Sequence, residues 1–242
     1  MARIYHTWHG YAPDTAPPFV TDGLVGHWDA GDANSYPGSG TDWFDLTANS
    51  NDGTLVNGPA YSTTGGAHIE FDGDNDRMDL GSIDSSNPLS LASLPTFTLE
   101  FWINPDASGD DFQRFLDKGS SGVSVGGYGV LLRPSLGAVL LTINGSSTGT
   151  ILPTYSGWSQ VIIKREATNN IRFYQNASMF ASGVDATAIP TTTATMRVGT
   201  WAALSGREYK GKIGCLRIYN KDLSPSEIQL NYDQIKGRYG LS

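Results

Sequence analysis

Hydrophobic and polar residues alternate with period two along much of this chain. The cleanest run is Phe97, Leu99, Phe101 and Ile103, interleaved with Thr96, Thr98, Glu100 and Trp102. That spacing sends alternate side chains to opposite faces of a strand. Because one buried face fixes strand register, the four apolar residues are expected to face a core together. Shorter runs repeat the pattern. Leu24 to Trp28 is a short apolar strand, and Ile69 and Phe71 alternate with His68, Glu70 and Asp72. Val139, Leu141 and Ile143 lead into Asn144-Gly145, a hairpin turn pair. Val161 and Ile163 follow Trp158, and Ile171 and Phe173 follow Asn169-Asn170. Ile213, Cys215, Arg217 and Tyr219 alternate with Gly214, Leu216 and Ile218, so both faces of that strand are expected to be covered. Short strands between turn residues, with no helices between them, predict an all-β fold of two packed antiparallel sheets.

One helix breaks the pattern. Ser224-Pro225-Ser226-Glu227 reads as a capping box with proline at the first helical position. Ile228, Tyr232 and Ile235 then form one apolar face, and Gly237 stops the helix. A single late helix is expected to plug one end of the sandwich. Residues 1–21 differ again: Pro13, Pro17 and Pro18 with scattered aromatics predict an extended N-terminal arm. Its large side chains, Ile4, Tyr5, Trp8, Tyr11 and Phe19, are expected to dock on another protein surface and contribute to assembly. The domain proper is expected over residues 22–242.

Composition narrows the function classes. A chain of 242 residues can bury a full core without staples. A single cysteine, Cys215, rules out an intrachain disulfide and a multi-cysteine zinc site, and is expected to be a small buried residue. The net charge is −8, with no basic patch, so no nucleic-acid partner is expected. No apolar run reaches membrane-spanning length, so no membrane partner is expected either. The first residues lack the apolar segment of a secretory leader.

Several segments, in order, resemble one family. They are Gly23 to Trp28, Asp45 to Leu55, Phe71 to Asp76, Phe97 to Ile103, Asn170 to Tyr174, and Gly211 to Ser224. Together they resemble laminin-G-like, concanavalin-A-like jelly rolls, a fold used by lectins, glucanases, adhesion modules and virus particles. The resemblance implies a jelly-roll β-sandwich over about residues 22–240, a fold that hosts many unrelated functions. Two positions depart from the family pattern: Asn176-Ala177 stands at a usual asparagine-glycine turn, and Gly214 replaces a usual acidic residue. The frame looks most like stand-alone jelly rolls of tailed phages. That implies a non-enzymatic virion protein, a capsid decoration or a tail or fibre component, bound to other virion proteins or to itself as a homo-oligomer. The alternative is a carbohydrate-binding adhesin for host surface polysaccharide; a glycoside hydrolase is a weak third.

The residues that could carry chemistry are few. Glucanases of this fold use a strand reading E-x-D-x-E, which lines up carboxylates on one face. Here Glu70 and Asp72 fit, but Gly73 is expected to turn the chain and throw Asp74 off the row, so no catalytic residues are assigned. Asp72, Asp74 and Asp76 are close-set hard oxygen donors, a candidate Ca²⁺ site whose bland alternative is a solvated acidic turn. Asp42, Asp45 and Asp52 form a looser acidic group, and His6 and His9 lie in the arm. Tyr36, Trp43 and Trp201, in polar or Gly-rich loops, are the candidate carbohydrate-binding aromatics, with half-buried loop packing as the alternative.

Overall fold

The computed structural model describes residues 19–120, 124–201 and 206–242. Of the arm, Ile4, Tyr5, Trp8 and Tyr11 lie outside the described residues, as do His6 and His9. The strands run β1 (Leu24–Asp29), β2 (Asp42–Trp43), β3 (Gly53–Val56), β4 (Ala60–Ser62), β5 (His68–Asp72), β6 (Arg77–Ile83), β7 (Phe97–Pro105) and β8 (Gln113–Lys118). They continue as β9 (Tyr128–Arg133), β10 (Ala138–Ile143), β11 (Ser146–Ile151), β12 (Ser159–Arg165), β13 (Asn170–Gln175), β14 (Ser178–Val184), β15 (Ala194–Val198) and β16 (Lys210–Tyr219), before helix α1 (Pro225–Ile235).

All pairings among these strands are antiparallel, in two sheets of eight strands. The first sheet has the order β14-β13-β12-β7-β16-β5-β4, with β1 also on β16; the second has β11-β10-β9-β8-β15-β6-β3-β2. Neighbours far apart in sequence, such as β7 beside β16, are the crossovers of a jelly roll. Phe97, Leu99, Phe101 and Ile103 are all at most 1% exposed, within the main core between the sheets. The period-two reading of β7 is therefore correct in register as well as in kind.

The other face of β7 is buried too. Helix α1 lies over it rather than plugging an end of the sandwich. Its buried residues Ile228, Asn231, Tyr232 and Ile235 face the first sheet. The capping box forms as predicted: Ser224 Oγ accepts from Glu227 N at 3.3 Å, and Glu227 accepts from Ser224 N at 2.7 Å. Trp102 stacks on Tyr232 and Tyr239, with ring centroids 5.7 and 5.5 Å apart, and Tyr239 stacks on Trp158 at 3.9 Å.

Gly214 explains one departure from the family pattern. A Cβ there would meet the Tyr239 hydroxyl at 1.7 Å. The bare backbone admits Tyr239, whose hydroxyl donates to Ala67 O at 2.9 Å. The other departure is a turn with positive φ at both Asn176 (50°) and Ala177 (61°). Glycine would fit that geometry at lower backbone cost, but the Ala177 methyl packs against the clusters under α1.

The boundary of the arm also shifts. Val20 is buried against Ile162, Tyr174, Tyr219, Leu223 and Ile228, and its N–H donates to Asn231 Oδ1 at 2.9 Å. The Phe19 ring lies edge-on to His27 at 5.0 Å, with the Arg217 guanidinium 4.5 Å from its centroid. The sequence places Phe19 in the arm, facing another protein surface. Its ring instead docks on its own domain, where the Arg217 guanidinium and the edge-on His27 ring receive it on the outer face of the first sheet.

Candidate functional site

Glu70 and Asp72 lie exposed on β5 and face Lys212 and Lys210 across the ladder to β16. With Asn104 and Asp106 they line a shallow cleft of about 760 Å³. The carboxylate row ends there. Strand β5 stops at Asp72, and Gly73 takes φ +81°, a left-handed conformation that turns the chain.

The acidic turn spends its carboxylates on itself. Asp74 N donates to Asp72 Oδ1 at 2.8 Å, and Asp72 N donates to Asp76 Oδ2 at 3.0 Å. Burial pushes the Asp76 carboxyl upward; the Asp72 amide opposes that, and the charges of Asp72 and Asp74 add to it. Asp72, Asp74 and Asp76 do not converge as a set of three ligand atoms within 4.8 Å; among the described residues only His27, Asp29 and Cys215 do. That buried trio is already occupied by cations. Arg217 Nε donates to His27 Nε2 at 3.2 Å, and Arg238 Nη2 donates to Asp29 Oδ2 at 3.1 Å. Two guanidiniums beside the trio oppose a metal ion. Burial pushes the Cys215 thiol far up, which suits a packed residue and not a nucleophile. Asp45 is likewise structural: it accepts from His27 N, Thr47 N and Asn51 N at 2.9 to 3.0 Å and closes the loop after Trp43.

His27 carries a pH dependence. Burial, then the charges of Arg217 and Arg238, hold its imidazole well below the ordinary 6.5. Unfolded chains protonate near 6.5 while the folded chain stays neutral, so stability falls as pH drops below 6.5. The full slope is about 1.4 kcal/mol per pH unit. Urea midpoints measured above the carboxylate range, from about pH 7 to 5, should show this loss, and His27→Gln should flatten it. A wild-type profile already flat over that interval would contradict it.

The predicted sugar-binding aromatics separate. Trp43 is 0% exposed and Tyr36 is 4% exposed, both within the main core. The Tyr36 hydroxyl donates to Gly40 O at 2.9 Å, and its ring lies 5.0 Å from that of Tyr61. Only the polar stretch between Tyr36 and Trp43 faces solvent, so neither ring offers a sugar platform. Trp201 is the exception and is half-buried.

Around Trp201 the structure assembles residues that the sequence did not mark. Phe112 precedes β8, Arg133 ends β9, and Arg207 lies between β15 and β16. The Arg114 amide donates to Arg207 O at 2.8 Å and pins this segment beside β8. The Arg207 guanidinium sits 5.0 Å from the Trp201 centroid and 5.7 Å from that of Phe112. Arg133 sits 4.0 Å from the Phe112 centroid and pairs with Asp111 at 2.7 Å. Phe112 is 40% exposed and takes φ +63°, a costly conformation for an aromatic residue. Strained non-glycine backbone of this kind clusters at binding and catalytic sites.

Residues 81–229 match the family described as the concanavalin A-like lectin/glucanases superfamily. No functionally curated protein matches the chain in sequence. Among solved structures, the binding domain of botulinum neurotoxin serotype D is similar at TM-score 0.63 and 13% identity, over 88% of this chain and 52% of that one. The Trypanosoma rangeli sialidase in complex with the inhibitor DANA gives TM-score 0.59 and 14% identity over 88% of this chain and 33% of that one. Domain 4 of AbnA, a GH43 extracellular arabinanase from Geobacillus stearothermophilus, in complex with arabinotriose, gives 0.62 and 19% over 85% of this chain and 96% of that one. The chain thus spans about half the length of the toxin domain and a third of the sialidase. At these identities the likeness is one of fold.

Proposed function

Given that the chain belongs to the concanavalin A-like lectin/glucanases superfamily, we propose that it is a non-catalytic glycan-binding module. The observation that carries this reading is the rim where the exposed Phe112 and half-buried Trp201 rings lie on either side of the Arg207 guanidinium. Sugar rings bind through such flat apolar faces, with a few polar side chains fixing their hydroxyls. The arabinotriose complex of the arabinanase domain makes oligosaccharides the first ligands to try.

The carboxylates support binding without turnover. Retaining glycosidases hold two carboxyl groups roughly 5–5.5 Å apart with separate roles. Here Glu70 and Asp72 lie opposite lysines, and Asp74 lies beyond the Gly73 turn. On a glycan array the chain should bind discrete oligosaccharides, and Trp201→Ala should lose them. Incubated with β-glucans, wild type and Glu70→Gln should both release no reducing sugar. Turnover by wild type that disappears in Glu70→Gln would overturn the non-catalytic reading, and an array without binding would overturn the glycan reading.

The tailed-phage frame that the sequence resembles supports a place for this module on the virion, recognising host polysaccharide. Its partners would then be other virion proteins or further copies of itself. Mass spectrometry of purified particles should find the chain, and its absence from them would remove this assignment.

A further inference from the structure

Resting on the glycan-binding reading, we propose that the rim selects an acidic sugar, whose carboxylate is received by Arg207. The chain carries 24 acidic and 16 basic residues, so arginines should find acidic partners easily. Among the described residues, every other arginine does so or is otherwise spent. All but one of them lie within 4.0 Å of a carboxylate. The exception, Arg165, donates to the carbonyls of Pro95, Leu94 and Thr187. Arg207 makes neither kind of contact among the described residues. What holds it is two aromatic rings, Trp201 and Phe112.

That arrangement suits an anion. Ring contacts attract a guanidinium through its charge and leave its N–H donors unspent. They also restrain the plane of the fork, so less entropy is lost when it binds a carboxylate through two parallel bonds. Arg207 acts on the buried Arg114 as a like charge, lowering its pKa behind the larger effect of burial and against the charge of Asp117. Arg133 stands against the same Phe112 ring. Arg133 is neutralised by Asp111 and Arg114 by Asp117, so Arg207 is the guanidinium of this rim with no carboxylate partner among the described residues. A neutral sugar would use the rings and leave Arg207 unpaired, whereas a uronate or sialate would use both.

The test uses the full chain and isothermal titration calorimetry. The probes are a galacturonic acid trisaccharide and sialyllactose, each beside its methyl ester, which keeps the shape and removes the charge. Wild type should bind at least one acid about tenfold or more tightly than its ester, as expected for hydrogen bonds to a charged group. Arg207→Gln should bring the acid down to the level of its ester and leave the ester unchanged, and Arg207→Lys should fall between. Unchanged melting temperatures would show that the variants fold. Equal affinity for acid and ester, binding confined to neutral sugars, or Arg207→Gln retaining the preference would overturn the acidic-sugar assignment while the glycan reading stands. Binding of no glycan, charged or neutral, would overturn both.

Discussion

Replacing Glu100 with leucine should destabilise the fold by about 3–5 kcal/mol, the range for breaking one side of a buried ion pair. Glu100 points away from the main core, beneath α1, and is 0% exposed. Its Oε1 accepts from Gln160 Nε2 at 2.9 Å and from Trp102 Nε1 at 3.3 Å, and its Oε2 accepts from Asn231 Nδ2 at 2.6 Å. Arg217 lies directly across the ladder, also 0% exposed, with Nη1 3.5 Å from Oε1. Leucine fills much of the volume but leaves the Arg217 charge and three donors without their acceptor. The double variant Glu100→Leu/Arg217→Met removes both charges and should lose at least about 1 kcal/mol less than the two single losses summed. Urea midpoints at constant slope measure the cycle. Additive losses, or a Glu100→Leu loss below about 1 kcal/mol, would contradict this account of the network.

Trp43→Ala should cost about 3–5 kcal/mol of stability, as for a large buried aromatic. The residue was a candidate sugar platform, yet its ring is fully enclosed in the main core. Its Nε1 is buried with no hydrogen-bond partner among the described residues, so part of its burial is already penalised. Trp43→Phe keeps most of the packing and removes that orphan donor, and should lose much less than Trp43→Ala. Thermal melts of the two variants decide the matter. A stable Trp43→Ala protein with weakened glycan binding would return Trp43 to the site.

These two cases mark where sequence and structure part. The strands were legible because one apolar face must be buried and period two exposes that demand directly, as in β7 and β16. The helix was legible because its capping box is a local hydrogen-bond pattern set by Ser224 and Glu227. Its position was not: α1 covers the outer face of the first sheet because Glu100, Trp102 and Cys215, on the face of β7 and β16 turned away from the core, require a cover. The alternation of Arg217 and Cys215 with apolar neighbours in β16 hinted at two buried faces, but nothing local said which element would supply the lid.

The site was less legible still. Loop aromatics cannot be sorted into buried and exposed from composition. Tyr36 and Trp43 flank the same polar stretch and turn inward, while Trp201 stays half-exposed. Phe112, Arg133 and Arg207 meet through non-local strand pairing, and no spacing in the sequence links them. The one available signal was the exposed setting of Phe112 after Asp110-Asp111, at the start of a strand.

The most direct measurement follows the indole N–H resonances of the six tryptophans by NMR while an oligosaccharide that binds on the array is titrated in. Trp43 is sealed in the core and Trp201 stands at the rim, so the two report on different parts of the molecule. The account predicts that the Trp201 resonance shifts with added sugar, that the Trp43 resonance stays in place, and that Phe112→Ala weakens the response. A bound sugar that leaves Trp201 unmoved, or that shifts only resonances distant from it, would contradict the assignment of this rim as the binding site.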